Sequence, residues 1–350
     1  MNVYSEIDSL IRDAIISGYR RFCICPMGAN GMLTKQILID RYGIKEEFVA
    51  DNMLTKYNNK VIAPAEIPGS REVAVILNTT NKLANAELSE EINSHVRVFN
   101  ILEPTIIRDD SKEHYFSEIR KLLRVKQAIG HSFVRLGRSF DGGYVMLDDF
   151  QGCEGAISIG ISDDVSWDLD VSRRNIDVFQ FDHTIACAPV ENKRFHFYCL
   201  GVAPISQPTK QCITLDEMLT KIGLFDCYSL ILKMDVEGTE WDVINNVETS
   251  VLRKFKQIAL ELHGVTDVGN SETIISALTK LNETHVPVWV HGNNYASAHI
   301  AGNILIPTSL EICYARIDDY VFEDSTKEFP LDIDMPNCAE KNDFTLGVWG

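Results

Sequence analysis

Residues 228–244 read YSLILKMDVEGTEWDVI, and this stretch decides the fold. Residues 228–234 form an apolar run with a single charge, which is typical of a strand buried on both faces of a parallel sheet. Asp235 and Glu237 follow the strand, and a helical pattern begins after the turn at Gly238. Ligands of open α/β sheets bind outside the carboxyl ends of the strands. We therefore predict a functional site at Asp235 and Glu237, although acids in such a turn can also serve only to solvate it or to favour a helix start.

The composition describes an ordinary soluble globular protein of 350 residues, 45% hydrophobic and 24% charged. This length predicts about two domains. The formal net charge of −17 argues against a nucleic-acid or anionic-membrane surface, because both need clustered Lys and Arg. No apolar run reaches the roughly 20 residues of a membrane helix, and the N-terminal pattern is not that of a signal peptide. Nine cysteines without a Cys-x-x-Cys pair predict free thiols and a cytoplasmic location.

The first hundred residues alternate helical and strand patterns and predict a smaller Rossmann-like α/β domain. Its predicted elements include a helix over residues 1–18, strands at 47–50 and 73–78, and a helix at 85–95. A loop with Gly28 and Gly31 follows the first strand, and Asp51 follows the second. This order resembles a dinucleotide-binding start, but Pro26 stands where the first glycine is expected. Nucleotide binding and a purely structural module both remain open.

The chain loses its periodicity around Pro104 and becomes charged, which indicates a linker. An amphipathic pattern over residues 115–129 predicts a helix that leads into the second domain. The predicted division is a Rossmann-like domain at residues 1–105, a linker and connecting helix at 106–130, and a second domain at 131–350.

The second domain contains a series of apolar runs separated by helical patterns, which predicts a doubly wound α/β sheet. Six strands are predicted at residues 156–161, 178–181, 195–200, 228–234, 258–262 and 286–290. Residues 304–306 and 311–316 are expected to form a closing hairpin. Before the first strand, Asp141, Gly142 and Gly143 predict a hairpin turn, with Arg135 and Arg138 available to meet an anion.

Polar or glycine residues follow all six predicted strands. In strand order they are Gly160 with Asp163, Asp182, Gly201, Asp235 with Glu237, His263, and His291. An acid after the second strand can accept both hydroxyls of a ribose, and a glycine after the first lets a cofactor lie against the backbone. A single buried histidine is more often a hydrogen-bonded core residue, so the prediction rests on the joint placement. We expect these groups to converge on one cleft.

The segments KMDVEGTEWDVI, SIGI, FDHT and ELHG together resemble the FkbM-type S-adenosylmethionine-dependent methyltransferases, which have the class I methyltransferase fold. The resemblance extends to RLGRSFDGGYV, VHGNNY, PTSLEICYAR and FPLDIDMPN, and it covers about residues 134–350. The first hundred residues lie outside it. The resemblance implies a methyltransferase that uses S-adenosyl-L-methionine.

By this resemblance, Gly160, Ser162 and Asp163 face the methionine part of the cofactor, Asp182 binds the ribose, and Gly201 lies near the adenine. The glycine-rich loop of the fold is reduced here to GISDD. We therefore expect residues 141–144, which include Gly143 and Tyr144, or Ser162 to supply the contacts to the carboxyl and amino groups.

Methyl transfer to a hydroxyl needs a group that removes the proton. His263 is the first candidate for this base, Asp235 would orient or assist it, and His291 is the reserve. The alternative is a divalent metal that polarises the acceptor hydroxyls. Its candidate ligands are Asp235, Glu261, His263 and His291, with Glu237 as a further one.

The sequence does not identify the molecule that accepts the methyl group. FkbM-type enzymes mostly methylate oxygens of sugars or natural products, so we expect an O-methyltransferase of a sugar or glycan precursor in surface-polysaccharide biosynthesis. The expected partners are a small-molecule or glycan substrate and a second copy in a homo-oligomer, with no nucleic acid and no membrane span. Two other functions remain open, an NAD(P)-dependent oxidoreductase that uses the N-terminal domain and a catalytically silent nucleotide-binding module.

Overall fold

A computed structural model describes residues 3–69, 72–92, 94–103 and 106–349. The described chain divides into two compact units. The first comprises the residues up to Arg108 with Tyr295–Ala298 and Ala339–Asn342, and the second comprises Asp109–Asn294, His299–Cys338 and the residues from Asp343. Pro104, around which the sequence loses its periodicity, lies outside the described residues, and the boundaries at residues 105 and 130 stay predictions. No helix in the described ranges is long and apolar enough to cross a membrane.

The first unit is built on a four-stranded parallel sheet of order β2-β1-β3-β4. Its elements are α1 (Val3–Ile16), β1 (Arg21–Cys25), α2 (Ala29–Tyr42), β2 (Phe48–Val49), β3 (Val73–Leu77), α3 (Lys82–Glu91), β4 (Arg97–Asn100) and β5 (Ile106–Arg108). The central strand β3 is buried along its whole length, as its unbroken apolar run predicts. Ile24 and Ile76 lie side by side and pack with the apolar residues of α1 and α2. Cys23 and Val75 pack on the opposite face.

The second unit begins with a helix and a hairpin and continues as an α/β alternation. Its elements up to the opening stretch are α4 (Glu113–Leu122), β6 (Lys126–Ala128), β7 (Phe133–Leu136), β8 (Tyr144–Leu147), β9 (Gly155–Ile159), α5 (Ser166–Ser172), β10 (Val178–Phe181), β11 (Phe195–Tyr198), β12 (Gly201–Val202), β13 (Cys212–Ile213), α6 (Leu215–Lys221) and β14 (Leu230–Met234). The remaining elements are α7 (Glu240–Asn246), α8 (Thr249–Leu252), β15 (Phe255–Leu262), α9 (Ser271–Leu281), β16 (His285–Gly292), β17 (Ala298–Ala301), β18 (Ile304–Pro307), β19 (Leu310–Arg316), β20 (Phe322–Asp324), β21 (Glu328–Phe329) and β22 (Gly347–Val348).

Seven strands form the main sheet in the order β11-β10-β9-β14-β15-β19-β16. Strand β19 runs antiparallel to both of its neighbours, and the other adjacent pairs are parallel. The two central strands β9 and β14 are fully buried, and the bulky indoles of Trp167 on α5 and Trp241 on α7 lie in the core. The predicted α/β architecture is confirmed. Because β9, β10 and β14 are parallel neighbours, the loops that follow them meet at one edge.

The hairpin predicted at the Asp-Gly turn is present, with β7 antiparallel to β8. A buried amide joins this hairpin to the sheet: Gln257 on β15 accepts a hydrogen bond from Leu147 N at 2.9 Å and donates one to Leu147 O at 3.0 Å. The Gln257 amide therefore fixes β8 against β15.

Three predictions about the elements are wrong. The connecting helix ends at Leu122 rather than at residue 129, and Lys126–Ala128 instead pairs with β20. Residues 183–194, between β10 and β11, contain no helix. The expected closing hairpin does not form within the sheet, since β18 is not one of its strands and β19 inserts between β15 and β16. Sequence periodicity reports which residues form a strand but not which strands become its neighbours.

Candidate functional site

The ends of β9, β10 and β14 enclose a cavity of about 340 Å³. This volume falls within the range of roughly 300–1,000 Å³ typical of small-molecule sites. The lining residues are Ile159, Gly160, Ser162, Phe181, Asp182, His183, Thr184, Gly201, Val202, Asp235, Val236, Glu237 and Thr239. Four of the residues expected to contact the cofactor, Gly160, Ser162, Asp182 and Gly201, are therefore brought together with the predicted site residue Asp235.

Two of the lining residues, Gly160 and Gly201, are glycines at positions where a side chain has no room. A Cβ atom at Gly160, whose φ is 76°, would lie 1.7 Å from the carbonyl oxygen of Asp235. A Cβ atom at Gly201 would lie 2.5 Å from Nδ1 of His183. The close approach of β9 to β14 thus depends on glycine at residue 160.

Asp182 lies at the end of β10 with its carboxylate held by the surrounding loops. Its Oδ2 accepts a hydrogen bond from Ser162 N at 2.8 Å, and its Oδ1 accepts bonds from Thr184 N at 2.7 Å and Thr184 Oγ1 at 2.6 Å. Burial acts to raise the pKa of Asp182, but the hydrogen bonds from Thr184 and Ser162 outweigh it and lower the pKa below 3.8. The carboxylate is therefore ionised, and Oδ2 keeps a lone pair for a further donor.

An acid–imidazole cluster adjoins the cavity at the ends of β14 and β15. Asp235, Glu237 and His263 each place one potential ligand atom within 4.8 Å of the others. Asp235 and Glu237 also line the cavity. Glu237 adopts a left-handed backbone conformation with φ of 53°, and its side chain is 88% exposed.

Helix α7 holds His263 at three points. Glu240, which is fully buried, lies with Oε1 3.2 Å from His263 Nδ1 and accepts a hydrogen bond from His263 N at 2.5 Å. The Trp241 indole donates to the His263 carbonyl oxygen at 2.7 Å. His263 Nε2 faces two further carboxylates, Glu237 and Glu261, at 3.6 Å each. These distances are too long for hydrogen bonds.

The acids around His263 change its protonation. Burial acts to lower its pKa, but the hydrogen bond that the ring donates to Glu240 and the charges of Glu261 and Asp235 raise it to about 9. Burial also raises the pKa of Glu261, and Asp235 adds to this effect. His263 therefore carries a proton at neutral pH, which differs from the neutral imidazole that its intrinsic pKa of about 6.5 predicted.

Tyr144 and Gly143 lie outside the cavity lining. The buried Tyr144 hydroxyl donates to Asp235 Oδ2 at 3.3 Å, so it orients that carboxylate. A Cβ atom at Gly143 would lie 2.0 Å from Nη1 of Arg135, so this glycine admits the guanidinium. Asp163 is exposed and is not one of the lining residues.

His291 and Glu261 occupy buried networks. His291 Nδ1 lies 3.1 Å from Glu311 Oε2, and its Nε2 lies 2.9 Å from Asp343 Oδ2. These two carboxylates overcome the effect of burial and raise the pKa of His291 to about 10. Glu261 Oε1 accepts hydrogen bonds from the Asn293 amide and the Ser309 hydroxyl, both at 2.8 Å. His291 does not line the cavity, and neither residue belongs to the three-residue cluster.

The sequence interpretation missed Glu240 and Thr184. Glu240 follows the strand-end acids by three residues in EGTE and is the first residue of α7. The sequence shows an acid at this position but not its burial, and it is the burial that implies a strong partner. Thr184 forms part of FDHT, two residues after Asp182.

Residues 167–285 match the sequence model of the methyltransferase FkbM domain. The matched range, about a third of the chain, contains Asp182, Asp235, Glu237 and His263. The match therefore confirms, for residues 167–285, the resemblance to FkbM-type methyltransferases that the sequence indicated. The sheet order with its antiparallel β19 fits the class I fold that the resemblance implied. No curated protein matches the sequence.

Proposed function

We propose that this FkbM methyltransferase domain transfers the methyl group of S-adenosyl-L-methionine to a hydroxyl oxygen. The observation that carries the proposal is a single cavity lined by both Asp182 and Asp235, with the His263 imidazole at its edge. Asp182 lies in the loop after β10, and Asp235 and Glu237 lie in the loop after β14. Because all three line one cavity, a single ligand could contact both loops. All three acids were expected at the site from the sequence.

The residues of the cavity fit this cofactor. Asp182 Oδ2 has a free lone pair for a ribose hydroxyl, while Oδ1 is satisfied by Thr184. Gly160 and Gly201 also line the cavity and add no side chain to it. When bound, the cofactor supplies a methyl group on a sulfonium, which is electrophilic. Asp235 and Glu237 would stabilise that positive charge.

The acceptor hydroxyl would lie against Asp235 and His263. In an in-line displacement its oxygen forms the new bond to carbon as the bond from carbon to sulfur breaks, and the hydroxyl proton leaves. Glu240 and Trp241 fix the imidazole so that Nε2 faces this position. Nε2 can act there as the proton acceptor or as a metal ligand, and both roles require it to be unprotonated.

The acceptor that we propose is a hydroxyl of a sugar or glycan precursor made in the cytoplasm for a surface polysaccharide or natural product. Support comes from the FkbM match and from the extra N-terminal unit beside the methyltransferase domain.

An oxidoreductase that uses the N-terminal unit is the less favoured alternative. At the start of α2, where a phosphate would bind, Met27 N already donates to Asp51 Oδ2 at 3.0 Å. The same carboxylate caps Met53 N and Leu54 N through Oδ1. A negative charge at this point opposes the binding of a dinucleotide phosphate.

Calorimetric titration with S-adenosylmethionine and S-adenosylhomocysteine tests the proposal. We expect one binding site in the wild type and at least tenfold weaker binding in Asp182→Asn, which loses the charged acceptor of the ribose hydroxyl. Asp226→Asn is the matched control, because Asp226 is exposed and precedes β14 at its opposite end. An absence of binding in the wild type, or equal affinity in Asp182→Asn and Asp226→Asn, would overturn the proposal.

A further inference from the structure

Four carboxylates surround the His263 imidazole near the carboxyl ends of β14 and β15. They belong to Asp235, Glu237, Glu240 and Glu261. We propose that Asp235, Glu237 and His263 bind one divalent cation, such as Mg²⁺ or Mn²⁺, and that the cation holds two adjacent hydroxyls of the acceptor. The three side chains provide two carboxylates and one imidazole nitrogen. This donor set suits a divalent ion that also keeps waters or substrate oxygens.

The spacing of the three groups is that of ligands around a shared ion. Their candidate ligand atoms lie within 4.8 Å of one another. Ligand atoms that bind at about 2.0–2.2 Å lie up to about 4.4 Å apart across the ion. Small rotations of the exposed Glu237 side chain are enough to close the difference.

His263 is oriented as metal-bound histidines are. Its Nδ1 faces the buried Glu240 carboxylate at 3.2 Å, which directs Nε2 towards the cluster. Such a carboxylate behind a ligating histidine fixes the ring and makes the other nitrogen a stronger ligand. Nε2 has no partner within hydrogen-bond distance among the described residues, because Glu237 and Glu261 both lie 3.6 Å away. A cation between Nε2 and the carboxylates would fill this position.

In the described part of the chain, the ion-pair contacts of the acids around the cluster are made with His263. Among the residues that the structure describes, no Lys or Arg forms an ion pair with the four surrounding acids, Asp235, Glu237, Glu240 and Glu261. Lys233 lies in β14, two residues before Asp235, and donates to the carbonyl oxygen of Gly160 at 3.3 Å. Several carboxylates in a partly buried site need a compensating positive charge. A divalent cation supplies it.

The position of the cation defines the class of acceptor. Asp235 and Glu237 line the cavity as well as the cluster, so an ion between them would face the transferable methyl group. Three protein ligands leave about three positions of an octahedral ion open, which is enough for two neighbouring oxygens and a water. The acceptor would therefore be a vicinal diol, as on a sugar ring, and the cation would lower the pKa of the hydroxyl that is methylated. This part of the inference rests on the proposed function.

Mn²⁺ binding to the whole, chelator-treated protein tests the site without any need for turnover. Electron paramagnetic resonance counts the bound ion, and calorimetry gives its affinity. We expect one Mn²⁺ per chain in the wild type and at least tenfold weaker binding in Glu237→Gln and His263→Ala. Glu237 is 88% exposed, so its replacement leaves the fold intact. Glu240→Gln should weaken binding by about 10–100-fold, as expected for a group that orients a ligand.

The matched control is Asp226→Asn, an exposed acid outside the cluster, and it should bind Mn²⁺ as the wild type does. No stoichiometric Mn²⁺ in the wild type, or equal affinity in the wild type and Glu237→Gln, would overturn the cation site. Cofactor binding is measured in a separate titration with S-adenosylmethionine in the presence of a chelator. If the protein binds Mn²⁺ but not the cofactor, the result would support the cation site and overturn the proposed function. In a protein that binds both, failure of a vicinal diol to tighten Mn²⁺ binding would overturn the acceptor class.

Discussion

At the scale of single residues, the pair of Glu240 and His263 carries most of the chemistry that we propose. The buried carboxylate fixes the imidazole through Nδ1 and the backbone N–H, and it raises the histidine pKa. Trp241 holds the carbonyl of the same residue. One turn of helix thus determines where Nε2 points.

His263→Ala should lower kcat by about 10²–10⁴-fold, the range that positioned proton-transfer groups contribute. Affinity for S-adenosylmethionine should stay nearly unchanged, because His263 is not one of the residues that line the cofactor cavity. Turnover assays with the acceptor and calorimetry with the cofactor measure the two effects separately. Unchanged turnover with the true acceptor would remove His263 from the mechanism.

The pH dependence of turnover follows from the pKa of about 9 at His263. Both roles of the imidazole need its unprotonated form, and a bound cation would displace the proton below this pKa. In chelator-treated protein, kcat/KM should therefore increase with pH and level off above about 9. Glu240→Gln removes the carboxylate that accepts the hydrogen bond of the imidazole and raises its pKa. The midpoint of the profile should therefore move towards the ordinary value of about 6.5. A flat profile between pH 6 and 9 in the wild type would contradict this assignment.

At the scale of secondary-structure elements, the antiparallel pair of β16 and β19 contains a buried ionic network. His291 faces Glu311 across the pair, and Asn337 donates to Glu311 Oε1 at 2.6 Å. Asp343 contacts the other ring nitrogen of His291. This network explains why a histidine at a strand end can be a structural residue.

His291→Ala should destabilise the protein by about 3–5 kcal/mol, because it leaves the buried Glu311 without its charged partner. Urea denaturation of the wild type and the variant measures the difference in unfolding free energy. Calorimetry with S-adenosylmethionine on the folded variant is the control and should give the wild-type affinity. A loss below 1 kcal/mol would mean that the network contributes little.

The same network predicts how stability changes with pH. The pKa of His291 is raised in the folded protein from 6.5 to about 10, so its protonated form is the one that folding favours. The stabilisation is fully present below pH 6.5 and is lost as pH increases towards about 10. The difference in unfolding free energy between the wild type and His291→Ala should therefore be larger at pH 6 than at pH 10. An equal difference at both pH values would contradict the raised pKa.

At the scale of the whole molecule, ligand binding should stabilise the protein selectively. A ligand at 100 times its Kd stabilises the state that binds it by about 2.7 kcal/mol. We expect S-adenosylhomocysteine to raise the melting temperature. Asp182→Asn should reduce the increase by about half or more at the same ligand concentration, because tenfold weaker binding lowers the stabilisation to about 1.4 kcal/mol. Differential scanning calorimetry measures both. NADPH at equal concentration should produce no increase, and an increase with NADPH alone would instead favour the oxidoreductase.

The sequence by itself determined the α/β architecture and the edge at which the site lies. Unbroken apolar runs such as Leu230–Met234 need burial on both faces, and parallel strands bring their following loops to one edge. That reasoning was sufficient to expect Asp182 and Asp235 in one cleft, because both follow such strands directly. The Asp-Gly turn likewise predicted its hairpin, since turn geometry is a local property.

Only the tertiary structure decided the order of the strands and the roles of the histidines. β19 lies between β15 and β16 because of pairing across long sequence separations, which periodicity does not encode. His263 and His291 both follow apolar strands, yet one borders the cavity and the other is enclosed by Glu311 and Asp343. Asp343 lies 52 residues from His291 along the chain. The protonation and role of an imidazole depend on such distant partners, and folding alone brings them together.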